Sequence, residues 1–121
     1  NQSRQIDLFA TDIASVLDRV APLMDVVRSA AEGDDEIVAL YAELHRGRRK
    51  NLEWFAEALL QSGPLRNGMD TTAVTDVLWR LASPELFLLV RRVEKLSSGY
   101  YVNWLAATLK ALLLRDRDAR E

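Results

Sequence analysis

The chain has 121 residues, of which 49% are hydrophobic and 28% charged, the composition of one globular domain and not of a disordered segment. It has no cysteine and one histidine, which excludes a disulfide framework, a thiol nucleophile, Cys-ligated zinc and a paired-histidine metal site. A net charge of −2 argues against a domain whose main task is to grip phosphate backbones. No apolar run approaches the roughly 18 residues of a membrane span and no basic-then-apolar leader opens the chain, so a cytoplasmic protein without a membrane partner is expected.

The sequence reads as helices throughout, an all-α single domain over 1–121 with about five helices. Sustained period-2 alternation is missing, and no Asn-Gly or Asp-Gly turn lies between β-branched runs. The first helix is predicted from about Gln5 to Ala31. Ile6, Phe9, Ile13, Val16, Leu17, Val20, Leu23, Met24 and Val27 recur at steps of three and four, which makes one apolar stripe. Pro22 lies inside this pattern, where it removes an amide donor and crowds the carbonyl of Asp18. Because the stripe continues in phase, a kink is expected there in preference to a break.

Gly33 suits a left-handed helix end and Asp34 an N-cap. The second helix is therefore predicted over about Asp35–Ser62, with Gly63-Pro64 as its stop. Its stripe is Ile37, Leu40, Tyr41, Leu44, Leu52, Phe55 and Leu59, and Arg48 falls on that stripe. Asp70 is the expected cap of a third helix, Thr71–Ala82. Ser83-Pro84-Glu85 starts a fourth that reaches about Lys95, and Ser97 or Ser98 starts a fifth that runs to about Arg115. The alternating charges of 115–121 predict a frayed tail.

Three features bear on chemistry. His45, Arg46, Arg48, Arg49 and Lys50 form a basic run, but no aromatic residues interleave it, so a solvated helix turn is the better reading than a nucleic-acid patch. Glu32, Asp34, Asp35 and Glu36 cluster where a helix dipole alone favours acids. A single histidine cannot complete a metal site or a Ser-His-acid set on its own, so no catalytic residue, metal or cofactor is expected.

The last two helices have almost no wet face. Over Tyr101–Leu114 only Asn103, Thr108 and Lys110 are not apolar, and Leu86, Phe87, Leu88, Leu89 and Val90 are five consecutive apolar residues. A surface helix needs a polar side. Either these helices are wrapped by the others, or two per subunit pair across a two-fold axis in a homodimer. The second reading places Leu86, Leu89, Val90, Val93, Tyr101, Trp104, Leu105, Thr108, Leu109 and Leu112 in the dimer interface, with Trp104 as its anchor.

The same residues carry a resemblance. DVLWRLASPELF (76–87), followed by YVNWLAATL (101–109) and a leucine run, resembles the C-terminal effector-binding and dimerisation domain of TetR-family transcriptional regulators. LDRVAPLMDVVRSAA (17–31), Arg48-Arg49 and Gly63-Pro64-Leu65 fit the same pattern, so the resemblance covers about 5–114. Ser97-Ser98-Gly99 departs from the Ser-Pro-Glu type cap usual at the last helix start. The resemblance implies a piece of a longer repressor whose helix-turn-helix unit precedes these residues, with DNA contacted only through that unit. It also implies a small hydrophobic effector held in an apolar pocket between helices.

Candidate pocket residues are Val20 and Met24 beside the expected kink, and the bulky Tyr41, Trp54, Phe55, Trp79 and Phe87. Arg48 reads either as a guanidinium at the pocket rim, pairing an acidic ligand, or as an arginine whose head reaches water or a carboxylate such as Asp18, Asp25 or Glu43. The second is the simpler expectation. The alternative to a ligand-sensing domain is a helical protein–protein adaptor without a small-molecule ligand.

Overall fold

The computed structural model describes residues 1–116, and fraying of the tail beyond Asp116 concerns residues outside that range. Among the described residues the fold is all-helical: α1 Gln2–Ala30, α2 Asp35–Gln61, α3 Thr71–Leu81, a short α4 Pro84–Leu88 and α5 Ser98–Leu113. A 3₁₀ turn at Arg66–Gly68 lies between α2 and α3.

Local chemistry sets most boundaries. Asn1 caps α1 by accepting from the Arg4 amide. Gly33 adopts φ +76°, and the Asp34 side chain then accepts from the amides of Glu36 and Ile37 at the start of α2. Asp70 caps α3 through the Ala73 amide, Ser83 caps α4 through Leu86, and Ser97 caps α5 through Tyr100. Each satisfies an amide that a helix start would otherwise leave without a partner.

Two expectations are corrected. The fourth helix does not continue to Lys95. After five residues it widens into a π turn at Leu89–Val93, and Lys95 takes a left-handed conformation that reverses the chain. The Leu96 amide then reaches back to the Val90 carbonyl at 3.0 Å.

The second correction concerns α1, which runs unbroken through Pro22 but buries only Ile6, Leu17 and Met24 of its bulky stripe. The buried line is Ile6, Ala10, Ala14, Leu17, Ala21 and Met24, three of them alanines. Phe9, Ile13 and Val20 are half-buried, and Val16, Leu23 and Val26 are exposed. Small side chains allow helix backbones to approach closely, and α1 packs against α2, α4 and α5 at once. A bulkier line would hold those neighbours apart.

The core lies where these helices meet. Leu52, Ala56 and Leu59 of α2, Val74 and Leu78 of α3, Phe87 of α4, and Tyr101, Leu105, Leu109 and Leu113 of α5 close around the alanine line. The ends are tied by polar contacts. The Gln2 side-chain amide donates to the carbonyls of Leu59 at 2.9 Å and Gly63 at 2.8 Å, which joins the start of α1 to the end of α2. Lys110 meets Asp7 at 2.8 Å and joins α5 to α1. The first half of α2 contributes no buried residue.

This packing predicts an inverted sensitivity on α1. Ala10→Leu is expected to destabilise by about 1–3 kcal/mol through overpacking. Leu8→Ala, at a position 55% exposed, is expected to change stability by less than about 0.5 kcal/mol. Urea midpoints measure both, and equal losses would contradict the assignment of the alanine line to the close contact.

Candidate ligand-binding site

Two concave regions border α1. The first is a groove between α1 and α2 of about 390 Å³. Phe9, Ile13, Val16, Leu17 and Val20 form one wall, Leu52 and Phe55 the other, and Arg48 and Asn51 are the polar residues. Phe9 and Phe55 stack with ring centroids 4.3 Å apart and planes 13° from parallel. They clasp the two helices.

The second is a cleft of about 460 Å³ between the C-terminal half of α1, Tyr41 of α2, and α4 with its π turn. Its floor is apolar: Ala21, Met24, Pro84, Leu88 and Leu89. Its rim is charged: Asp25, Arg28, Glu85 and Arg92. Arg28 and Arg92 both reach Asp25, at 2.8 and 3.1 Å. The Arg28 guanidinium holds the Asp25 carboxyl below its usual range, and Arg92 adds to the effect.

A polar relay separates the cleft from a smaller hollow formed with Trp79 and Arg80. Glu85 accepts from the Tyr41 hydroxyl and meets His45 Nε2 at 2.9 Å. His45 Nδ1 lies 3.3 Å from Arg48 Nη1, and Arg48 Nη2 donates to the Ala82 carbonyl at 2.6 Å. An arginine can only donate, so His45 accepts at Nδ1 and donates from Nε2 to Glu85. Tyr41 and Trp79 both pack edge-on against the imidazole. The Trp79 indole N–H donates to the His45 carbonyl.

The relay shifts its members' acidities. Burial, reinforced by Glu85, pushes the Tyr41 phenol up to about 12. Burial alone would raise the Glu85 carboxyl, but hydrogen bonds from Tyr41, its own backbone and His45 bring it below its ordinary value. Burial draws Arg48 down from its usual value, opposed by the charge of Glu85, and it remains a cation.

The predicted ligand-binding residues divide among these places. Val20, Arg48 and Phe55 come together in the α1–α2 groove, and Met24 and Tyr41 in the cleft. Trp79 lies behind the relay. Trp54 is 70% exposed and borders none of the three hollows. Phe87 is buried against Tyr101 in the core and lines none of them either. The carboxylates suggested for Arg48 are engaged elsewhere: Asp18 with Arg91, Asp25 with Arg28 and Arg92, Glu43 with Arg46. Sequence reasoning treated Glu85 only as a first-turn acid and missed its junction with Tyr41 and His45. The groove wall was visible as the spacing 9, 13, 16, 20, of which only Val20 was read as lining a pocket and the rest as part of the apolar stripe.

The residues proposed for a dimer interface divide as well. Val90, Tyr101, Leu105 and Leu109 are buried in this chain's own core and offer no surface to a second copy. Leu86, Trp104 and Thr108 are half-buried, and Leu89, Val93 and Leu112 are exposed. The all-apolar look of α5 arises because one flank packs inward while Tyr100, Trp104 and Leu112 occupy the other. Comparison with protein-family models, curated proteins and solved structures finds no match for the chain.

The lowered Glu85 acidity sets a pH dependence. The folded state binds that proton less tightly than the unfolded chain, so the associated stability is present above the ordinary value of 4.5 and is lost as pH falls through the folded value. Urea midpoints taken downward from pH 5 are expected to fall less steeply for Glu85→Gln than for the wild type, with Asp25 supplying the residual slope. Identical slopes would exclude Glu85 as a contributor.

Proposed function

We propose that the chain is the ligand-binding and dimerisation domain of a TetR-like transcriptional regulator, in which a small hydrophobic effector couples to release of DNA by the parent protein. The observation that carries this reading is the α1–α2 groove. It is concave, apolar on both walls, of a size that takes one small molecule, and supplied with a single cation. In the regulators the chain resembles, the DNA reader precedes this domain, so α1 is the helix nearest to it. A ligand seated against Phe9, Ile13, Val16 and Val20 bears directly on α1. It shifts the equilibrium only if it binds one placement of α1 more tightly than the other.

Dimerisation rests on α4, its π turn and the outer flank of α5: Leu86, Leu89, Val93, Trp104, Thr108 and Leu112. Trp104 is the largest of these and anchors the patch. A helical adaptor for a different protein is the second reading. It is favoured by Leu23, Val26, Val38 and Leu40, which stay exposed along the first hairpin.

Sedimentation of the purified chain separates the two, because the regulator reading expects a symmetric homodimer and an adaptor alone does not. Trp104→Ala combined with Leu112→Glu is expected to give monomer with unchanged helicity. A dimer of undiminished affinity in that variant would falsify the assigned surface. A thermal-shift screen with small hydrophobic molecules is expected to find compounds that raise the melting temperature, since a ligand that binds only the folded state must do so.

A further inference from the structure

We propose that the α1–α2 groove takes a hydrophobic monocarboxylate, with Arg48 as its anion-binding residue. This rests on the ligand-sensing reading and names the chemical class of the ligand. The first ground is charge. Arg28, Arg46, Arg49, Arg66, Arg91, Arg92 and Lys110 each have a carboxylate within salt-bridge distance. Arg48 is half-buried and has none among the described residues. A desolvated cation without an anion is costly, and an anionic ligand would relieve that cost.

The second ground is donor capacity. A guanidinium carries five N–H groups. Arg48 uses one on Nη1 toward His45 and one on Nη2 toward Ala82, and these bonds hold the head in place. The remaining N–H groups have no acceptor among the described residues, and a head already held in place loses less entropy on pairing with a carboxylate. Glu85 acts on Arg48 by its charge but is bonded to it only through His45, so it does not occupy that position.

The third ground is the wall. Apart from Arg48 and Asn51 every lining residue is apolar, so the ligand's body is hydrocarbon or aromatic and lies along Ile13, Val16 and Val20. A second negative charge would find no cation in the groove. Dianions, phosphate monoesters among them, are therefore disfavoured, and so are neutral molecules of the same shape.

Octanoate, octanol and octanedioate test this by isothermal titration at neutral pH against the wild-type chain, Arg48→Gln and Val16→Trp. Octanoate is expected to bind the wild type about ten- to a hundredfold more tightly than octanol or octanedioate, the range of one charge-assisted pair. Arg48→Gln is expected to bring octanoate and octanol level. Val16→Trp, which fills the groove from a partly exposed position, is expected to abolish binding of both. Equal affinity of octanoate and octanol for the wild type, or octanoate binding that survives Val16→Trp, overturns the proposal while leaving a ligand-sensing domain in place. If no octyl compound binds and no hydrophobic molecule raises the melting temperature, the ligand-sensing reading falls with it. Should Arg48→Gln fail to fold because Ala82 loses its donor, the wild-type comparison and Val16→Trp still decide.

Discussion

The close packing of α1 on its neighbours is the constraint from which the rest of the structure follows. Ala10, Ala14 and Ala21 lie in the buried line, and their small side chains let α1 pack closely on α4 and α5. That approach turns the larger residues of the same helix toward one flank. There Phe9, Ile13, Val16 and Val20 meet α2 only part of the way, and the unfilled remainder is the groove. A packing solution chosen for proximity on one side thus creates concavity on the other.

Arg48 links the groove to the rest of the molecule. Its bond to the Ala82 carbonyl satisfies an acceptor at the end of α3, one residue before the serine that caps α4. Through His45 it is joined to Glu85 in the first turn of α4, and through Glu85 to Tyr41 on the rim of the second cleft. One continuous polar chain therefore runs from the groove to the cleft across α2 and α4. Any ligand that pulls on the Arg48 head acts on the junction between α3 and α4 by the same bonds.

Much of the helix inventory was legible in the sequence because caps are local. Asp34, Asp70, Ser83 and Ser97 act on amides two or three residues away, and Gly33 answers for its own backbone. The candidate site was legible only in fragments. Val20, Arg48 and Phe55 border one groove, whereas Trp54 sits on the surface and Phe87 in the core. Periodicity marks which residues share a helix face. It does not say whether that face meets a helix, a cavity or water.

By itself the sequence determined an all-helical chain, the starts of its helices and the absence of cysteine and paired-histidine chemistry, since these depend on composition and contacts within a few residues. Only the tertiary structure decided that Ala10, Ala14 and Ala21 share the core-facing line with Ile6, Leu17 and Met24 while the rest of the bulkier stripe stays partly or fully exposed. It also placed the inner flank of α5 within this chain and brought Tyr41, His45, Arg48 and Glu85 into one relay across 40 or more residues. Those outcomes depend on how far apart the helix axes lie, and that distance is set by the packing of all the helices together and not by any one segment.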